Sequence, residues 1–463
     1  MASNAFMEYG SVRVRRATES VALAASVLLL AGCGAASGVA SASTATATTQ
    51  PYVLFAPIVS NVTYLMDLQG QLVHQWSSPS APACSVVLLD DGTLLRPRTL
   101  GSASFPSGGC NGGLVELLDW DGTVKWSYEY NGPDHQQHHD VKRMPSGHVL
   151  MIAWEKRTAA EALAAGRSES TIPASGEIWV DHIIEVDPAT NVIVWVWRIW
   201  DHLLAPGDDP AAHPELIDPN AGALAQSDWT HANAIDYNPD LDQIILSSRN
   251  LSEFFVIDHS TTAAEAAGHT GGRSGHGGDL LYRWGNPANY GMSGPEQIFG
   301  QHNPHWIEPG LPGAGQLLLF DNGTVGLRPY STAVQVAPVT GADGNYAYDG
   351  DTGFLPAEPA WRYVANPPES LFARFVSSAQ RLPSGSTLLC DGPAGHFIEV
   401  TYDGQTVWSY VVTDTSGATN ILTFRATRYE AGFMGLAGRT LTPQGPVRVE
   451  LPAGASSKSQ PAT

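Results

Sequence analysis

The sequence predicts an all-β, six-bladed propeller over residues 51–440. Three observations carry the prediction. Six tryptophans (Trp76, Trp126, Trp197, Trp284, Trp361 and Trp408) recur about 40–90 residues apart. Two kinds of β-hairpin repeat between them. Helical periodicity is scarce throughout. Four-stranded units recurring at intervals of roughly 40–50 residues read as propeller blades, the larger gaps being insertions. A stacked array of β-sandwiches is the competing arrangement, disfavoured because strand groups recur with turns along the whole body.

The chain opens with a targeting segment, residues 1–32. Arg13, Arg15 and Arg16 form a basic region. Residues 21–31 form an apolar run too short to span a bilayer. The run ends in Leu30-Ala31-Gly32-Cys33, which resembles the lipobox of bacterial lipoproteins, with Cys33 as the lipidated residue. An ordinary secretory signal is the alternative, and Arg15-Arg16 fits a twin-arginine signal poorly. Export to the periplasmic side follows, with membrane contact only through the lipid anchor. Gly34 gives no sign of inner-membrane retention, which favours the outer membrane. Residues 33–50, almost wholly Gly, Ala, Ser, Val and Thr, read as a flexible tether.

The first hairpin kind is an apolar strand carrying a tight turn, as at Leu89-Asp90-Asp91-Gly92-Thr93-Leu94, Met144-Pro145-Ser146-Gly147-His148-Val149 and Leu382-Pro383-Ser384-Gly385-Ser386-Thr387. Looser versions fall at 238–242 and 309–315. The second kind ends in tryptophan, with turns at Asp121-Gly122 and Asp403-Gly404. Asp-Gly between alternating apolar residues is a strong hairpin signal. Residues 159–175 and 263–278 are insertions. Residues 424–429 read as a lone inner strand that completes the N-terminal blade begun at 52–76, and closure of this kind removes sheet edges. Cys84 and Cys110 flank one hairpin and are placed to pair, leaving Cys390 free; export permits the bond. Residues 441–463 form a C-terminal tail expected to be partly disordered.

Net charge is −21, with only 24 Lys and Arg. Nucleic acid is thereby excluded as a partner, because its phosphates need a basic surface. An anionic substrate must be drawn in by a local field, since the global one repels it. The candidate for that field is a set of histidine-bearing segments at corresponding places in the repeat: Gln137-His138-His139-Asp140, Trp229-Thr230-His231-Ala232-Asn233 and Gly300-Gln301-His302-Asn303. Each precedes a strand-like run (141–154, 235–248, 306–320), so each falls where an inner strand starts and the blades converge. Regular strands place His231 and His302 equivalently, with His139 two residues nearer the core and His138 pointing away. Arg249 ends the strand after His231 and offers a fork of donors for sulfate, phosphate or carboxylate, unless Glu253 takes it in a salt bridge. The glycine-rich run 268–278 lacks the Lys-Ser/Thr ending of a phosphate loop. It reads as a mobile lid with Arg273 facing a ligand.

These segments, with the runs 228–278, Tyr282-Arg283-Trp284-Gly285-Asn286-Pro287 and Phe299-Gly300-Gln301-His302, resemble the bacterial arylsulfate sulfotransferases, which need no nucleotide sulfate donor. The resemblance is strong over the middle of the chain and extends elsewhere by blade pattern. It implies a six-bladed propeller that moves a sulfuryl group from an aryl sulfate to a phenol by a ping-pong route, without cofactor or metal. His302 matches the position of the nucleophile that becomes a sulfohistidine. His231, Arg249 and one histidine of the His138–His139 pair match positions that stabilise charge or relay the phenolic proton, His139 being assigned to catalysis and His138 to substrate binding; Asn233 matches a position near the same site, also assigned to substrate binding. The chain departs from the family pattern twice. Only about 20 residues separate Cys33 from the first strand, leaving no room for the N-terminal β-domain of well-known members. Asn303 stands where many relatives carry Asp.

Other classes predict other features. A non-catalytic binding or scaffold propeller makes the histidines dispensable. A quinone-dependent dehydrogenase usually needs more blades and often an adjacent cysteine pair. A metal-dependent hydrolase wants carboxylates beside the histidines, where Asp140 is the only immediate one.

Overall fold

In the computed structural model the described residues are 50–101, 104–106 and 109–452. The signal segment, Cys33 and most of the tether lie outside them, as do residues 453–463. Among the described residues no helix is long and apolar enough to cross a membrane.

Six four-stranded antiparallel sheets form a six-bladed propeller. The strands nearest the axis are Thr423–Tyr429 in blade 1, Val87–Leu88 in blade 2, His135–Arg143 in blade 3, Ala232–Asn238 in blade 4, His302–Trp306 in blade 5 and Ser378–Arg381 in blade 6. Blade 1 joins the two ends of the domain. Thr423–Tyr429 pairs with Tyr52–Pro57 in the register Tyr52 to Tyr429 and Phe55 to Ala426. The expected closing strand is therefore present and locks the ring.

The core is divided into apolar slabs, one between each pair of adjacent blades. Leu54, Leu65 and Trp76 meet Leu88, Leu94 and Leu118 between blades 1 and 2. Leu95 and Val115 then turn the other way, onto Val141, Met151 and Ile184 of blade 3. The same alternation repeats around the ring to blade 6, where Leu388 and Phe397 return to Val53 and Phe55. Middle strands such as Val62–Asp67, Gly113–Leu118 and Glu253–Asp258 are thus buried on both faces, which is why they read as continuous apolar runs. Outermost strands such as Val124–Glu129 and Thr406–Val411 alternate between exposed and half-buried residues.

The six tryptophans all lie on outermost strands, one per blade. Each donates its indole N–H to the turn or loop before the outermost strand of the next blade. Trp76 reaches the Asp119 carbonyl (3.2 Å) and Trp126 the Asn191 side chain (2.7 Å). Trp197 reaches Gly278 O (2.6 Å) and Trp284 reaches Pro356 O (2.8 Å). Trp361 reaches Tyr402 O (2.9 Å), and Trp408 closes the circle at Leu68 O (2.9 Å). A large apolar ring with one polar tip suits this junction of slab and rim.

The repeated turns take the expected roles. Those at 89–93, 144–148 and 382–386 join first and second strands, with Gly92, Gly147 and Gly385 at φ +80°, +90° and +85°. The Asp-Gly turns join third and fourth strands. Cys84 and Cys110 form a disulfide and Cys390 is free and buried. The propeller's hydrogen bonding continues past residue 440: Val447 N–H donates to Gly70 O and Val449 N–H to Thr413 O, and both valines enter the slab between blades 6 and 1.

Trp197→Phe keeps the ring's bulk but strips the buried Gly278 carbonyl of its donor. It is expected to lower unfolding free energy by about 1–3 kcal/mol. Trp126→Phe, whose bond is exposed, is expected to stay within about 0.5 kcal/mol. Denaturant midpoints at constant slope check the pair, and equal losses would deny the interblade bond its role.

Candidate functional site

The inner strands of blades 3, 4 and 5 share one irregularity. Their pairing with the second strand slips between Gln137 and Val141, between Ala232 and Ala234, and between His302 and His305. Within or just before each slip a non-glycine residue takes left-handed backbone: His139 (φ +54°), His231 (φ +48°) and Asn303 (φ +57°). Bulges of this kind re-aim side chains, and backbone strain of this sort is found at functional sites. The regular register expected from sequence is replaced by these bulges, and they bring the rings together. His139 and His231 meet edge to face at 4.7 Å between centroids. Phe424 of blade 1 flanks both His302 (6.1 Å) and His139 (6.3 Å).

His302 is buried. Its Nδ1 lies 2.7 Å from Asn322 Oδ1. Asn322 spends its amide hydrogens on Ala373 O (2.7 Å) and Val376 O (2.9 Å), so the atom facing His302 must be the acceptor oxygen. His302 therefore carries its proton on Nδ1 and keeps the Nε2 lone pair, which accepts the Val376 N–H at 3.2 Å. Val376 and Ser377 are themselves left-handed, at φ +50° and +90°. Burial, reinforced by the Arg249 charge, holds the His302 pKa well below the ordinary histidine value.

His138 and His139 form a line behind His231. The carboxylate of Asp181 lies 2.9 Å from His138 Nε2, a close contact with imperfect hydrogen-bond alignment, and His138 Nδ1 lies 2.7 Å from His139 Nδ1. The nearby Asp181 carboxylate favours the proton on His138 Nε2, and His138 Nδ1 then takes the Nδ1–H of His139. The His139 Nε2 lone pair is then free. Trp154 stacks on His138 at 3.8 Å. His139 is thus the member of the pair in the cluster, and His138 sits behind it as its positioning residue. Burial and the neighbouring His231 push the His139 pKa well down. His231 is held by Asp228, Nδ1 to Oδ2 at 2.5 Å, which leaves its Nε2 unclaimed by this contact.

Arg249 follows the second strand of blade 4 and donates its backbone N–H to His231 O (3.1 Å). Glu253 does not take its guanidinium; Glu253 pairs with Arg283 at 2.6 Å. Arg249 instead lines a cleft of about 400 Å³ with Arg374, Glu296 and Phe299. Val325 and Leu327 stand 65% and 78% exposed on its lip, an apolar edge beside two guanidinium groups. Asn233 donates to Gln301 O at 2.8 Å and so supports the residue before His302. Its Oδ1 is buried without a hydrogen-bond partner.

Asp228, Asp181, Asn322, Phe424 and Arg374 were not singled out from sequence. Asn322 was within reach of it: it follows the second strand of blade 5 as Arg249 follows that of blade 4. Arg273 is not at this site. It is solvent-facing, lies 3.6 Å from Asp242, and lines a separate cleft of about 690 Å³. The run 268–278 is knit by backbone bonds such as Gly277 N–H to Gly271 O and Gly278 N–H to Gly268 O, and does not form a lid over the histidines.

A family model for arylsulfotransferase (ASST) matches residues 42–427. The chain belongs to that family. Aryl sulfotransfer, with aryl sulfate donors and phenolic acceptors, is the activity the family supports. No protein with a curated description matches significantly. Among solved structures, one from Bacteroides caccae of unknown function is similar at 12% identity and TM-score 0.45, covering 82% of this chain and 99% of that one. A putative 6-phosphogluconolactonase from Bacteroides fragilis NCTC 9343 is similar at 8% identity and TM-score 0.42, covering 82% and 98%.

His139 and His302 resist protonation only when folded. Below about pH 6.5 the unfolded chain takes up protons at these rings and the folded chain does not, so they make stability rise with pH across that range. Unfolding free energies measured between pH 5 and 7 should show this slope, and His302→Asn should flatten it. An unchanged slope would mean that the ring titrates normally in the folded protein.

Proposed function

We propose that His302 Nε2 is the nucleophile of a ping-pong aryl sulfotransferase and carries the sulfuryl group as a sulfohistidine. The observation that carries this reading is the Asn322 contact. It fixes the proton on Nδ1 and leaves a neutral imidazole whose Nε2 lone pair is held only by the Val376 N–H. A neutral imidazole is a competent nucleophile and divides one displacement into two.

The donor enters with its sulfate beside Arg249, and the Val376 N–H gives up the Nε2 lone pair. Nε2 attacks sulfur, the N–S bond forms, and the S–O(aryl) bond breaks. The aryl oxide leaves and is protonated by solvent. The sulfurylated ring carries positive charge, and its Nδ1–H remains on Asn322 Oδ1. Arg249 offsets charge on the sulfuryl oxygens, and the released Val376 N–H is aimed at the same group. A phenol then replaces the aryl oxide. Phenols titrate near pH 10, so a base is needed, and His231 Nε2, oriented by Asp228, accepts the proton. The phenolic oxygen attacks sulfur, the S–N bond breaks, and neutral His302 is restored. His139, held by the Asp181–His138 line, is the second acceptor facing the pocket. Phe424 and the lip of Phe299, Val325 and Leu327 supply apolar surface for aryl rings.

We propose further that the protein is exported and anchored through lipid on Cys33, with the outer membrane favoured. Supporting this are the basic and apolar leader, the Leu30-Ala31-Gly32-Cys33 run and the Cys84–Cys110 disulfide, which suits an oxidising compartment.

Incubation with p-nitrophenyl sulfate in chelator, without nucleotide, should release nitrophenol faster when a phenol is added. His302→Ala should abolish release, and intact-mass measurement of wild type without acceptor should find one added SO3. His231→Ala should slow the acceptor-dependent half-reaction about 10²–10⁴-fold while the sulfurylated form still accumulates. Full activity in His302→Ala would end the sulfohistidine assignment. A second series tests tautomer control. Asn322→Leu removes the Nδ1 acceptor and should lower the rate of His302 sulfurylation at unchanged apparent donor binding. A change in donor binding alone would make Asn322 a scaffold residue only.

A further inference from the structure

The glycine-rich insertion of blade 4 takes no part in the proposed transfer, yet it builds a second polar centre. None of the residues in the connection between the third and fourth strands of blade 4 lines the Arg249 cleft. In blade 4 that connection is 259–279, and it brings His269 and Asp279 against His202, which ends the turn Ile199–His202. The ligand-capable atoms of His202, His269 and Asp279 all lie within 4.8 Å of one another. Among the described residues this is the group of three His, Cys, Asp or Glu side chains close enough to share an ion; the central histidines do not form one.

The hydrogen bonding of this group is unusual. His202 Nε2 is 2.9 Å from Ala266 O, and a carbonyl can only accept, so that nitrogen carries the proton. A neutral His202 therefore points its Nδ1 lone pair at Asp279 Oδ1, 2.9 Å away. His269 Nδ1 approaches the same oxygen at 2.8 Å. Two imidazole nitrogens converge on one carboxylate oxygen, and one of them has no hydrogen to give unless the ring is charged. An imidazole that donates one N–H to a backbone carbonyl and turns its other nitrogen to a carboxylate is oriented as metal ligands are. His202 is fully buried and stacks on Trp197 at 5.4 Å and 9°, so its ring is fixed. His269 is 60% exposed, and its Nε2 can take the proton that Nδ1 releases.

The glycines of the run explain themselves here. A Cβ at Gly278 would stand 2.1 Å from Ala266 O and 2.6 Å from His202 Nε2, and one at Gly277 would stand 2.4 Å from Gly268 O. Only glycine lets the loop close this tightly on His202. The centre opens onto the 690 Å³ cleft that Glu215 and His276 also line.

We propose that His202 Nδ1, His269 Nδ1 and Asp279 Oδ1 bind one divalent transition cation of the zinc class, with the remaining position open to this cleft. Two imidazoles and one carboxylate select zinc over calcium or magnesium, which favour all-oxygen sites. The ion pins the insertion of blade 4 to the end of blade 3 and is independent of sulfotransfer.

The test uses the full chain, stripped with chelator and titrated with zinc chloride, followed by calorimetry and zinc-edge X-ray absorption. One equivalent is expected, with scattering from two imidazoles. His269→Ala removes an exposed ring and leaves the fold intact, and it should weaken binding at least about tenfold. Asp279→Asn should do the same, and both should keep wild-type transfer rates. Calcium chloride should not compete. Three outcomes overturn the proposal: no zinc uptake by wild type, equal uptake by His269→Ala, or uptake lost in His302→Ala and retained in His269→Ala. The last would assign the ion to the central histidines.

Discussion

Everything at the axis depends on the blades holding their angular order, and that order is closed by one strand pairing. Thr423–Tyr429, near the end of the propeller, pairs with Tyr52–Pro57 at its start. The same strand carries Phe424, which touches His139 and His302, and Arg425, whose guanidinium meets Asp140 at 2.8 Å across the axis. Asp140 also accepts the Ile235 N–H of blade 4 at 3.2 Å, and Asp236 of blade 4 accepts the Trp306 N–H of blade 5 at 3.0 Å. Closing the ring and assembling the site are thus one event. No blade contains the site; it exists only when blades 1, 3, 4, 5 and 6 are in register. The tryptophan circle does at the rim what these aspartates do near the axis.

Much of this was legible in the sequence because propeller blades repeat a simple physical problem. A strand at the rim faces solvent on one side and needs a large apolar residue on the other, so tryptophan marks it and the blades can be counted. The Asp-Gly and Pro-Ser-Gly turns were readable because glycine is needed where the backbone turns left-handed. The disulfide was readable from its flanking of one hairpin. What was not legible follows from irregularity. The alternation argument puts His139 toward the site and His138 away, as the structure does, but the bulge at His139 breaks the regular strand it assumes. Asp181 sits mid-strand in blade 3 among apolar neighbours and carries no motif; only the fold brings it to His138. The run 268–278 was misjudged for a plainer reason. Glycine abundance signals either freedom or crowding, and here it signals crowding against His202.

The site also resolves an electrostatic difficulty. A chain of net charge −21 must attract an anion and then leave a nitrogen lone pair available beside it. Protonated imidazoles would attract the anion but could not attack it. The structure divides the two tasks. The guanidinium groups of Arg249 and Arg374 face the cleft. Burial first, with the Arg249 charge beside His302 and the neighbouring imidazoles beside His139, holds both pKa values well below the ordinary histidine value. In the transfer proposed above, the charge that would draw the sulfate is therefore also one that helps keep the proposed nucleophile unprotonated. The Asp228 carboxylate is turned onto His231, which it orients for the proton-accepting role proposed above.

Blade equivalence gives this division a structural logic. The residue after the second strand is Arg249 in blade 4 and Asn322 in blade 5, and each addresses the histidine segment at the head of a blade. Arg249 donates its backbone N–H to His231 O and turns its side chain to the cleft; Asn322 turns its side chain inward to His302. The two positions are interchangeable in the repeat but not in chemistry. An arginine at 322 would point donors at His302 Nδ1 and force the proton onto Nε2, removing the lone pair from that nitrogen. An asparagine at 249 would lose the charge that is proposed to bind the anion and that adds to burial in lowering the His302 pKa. A repeat that supplies geometrically similar positions can thus build an asymmetric site by changing one side chain per blade. In this protein the asymmetry decides which nitrogen of which histidine is free to react.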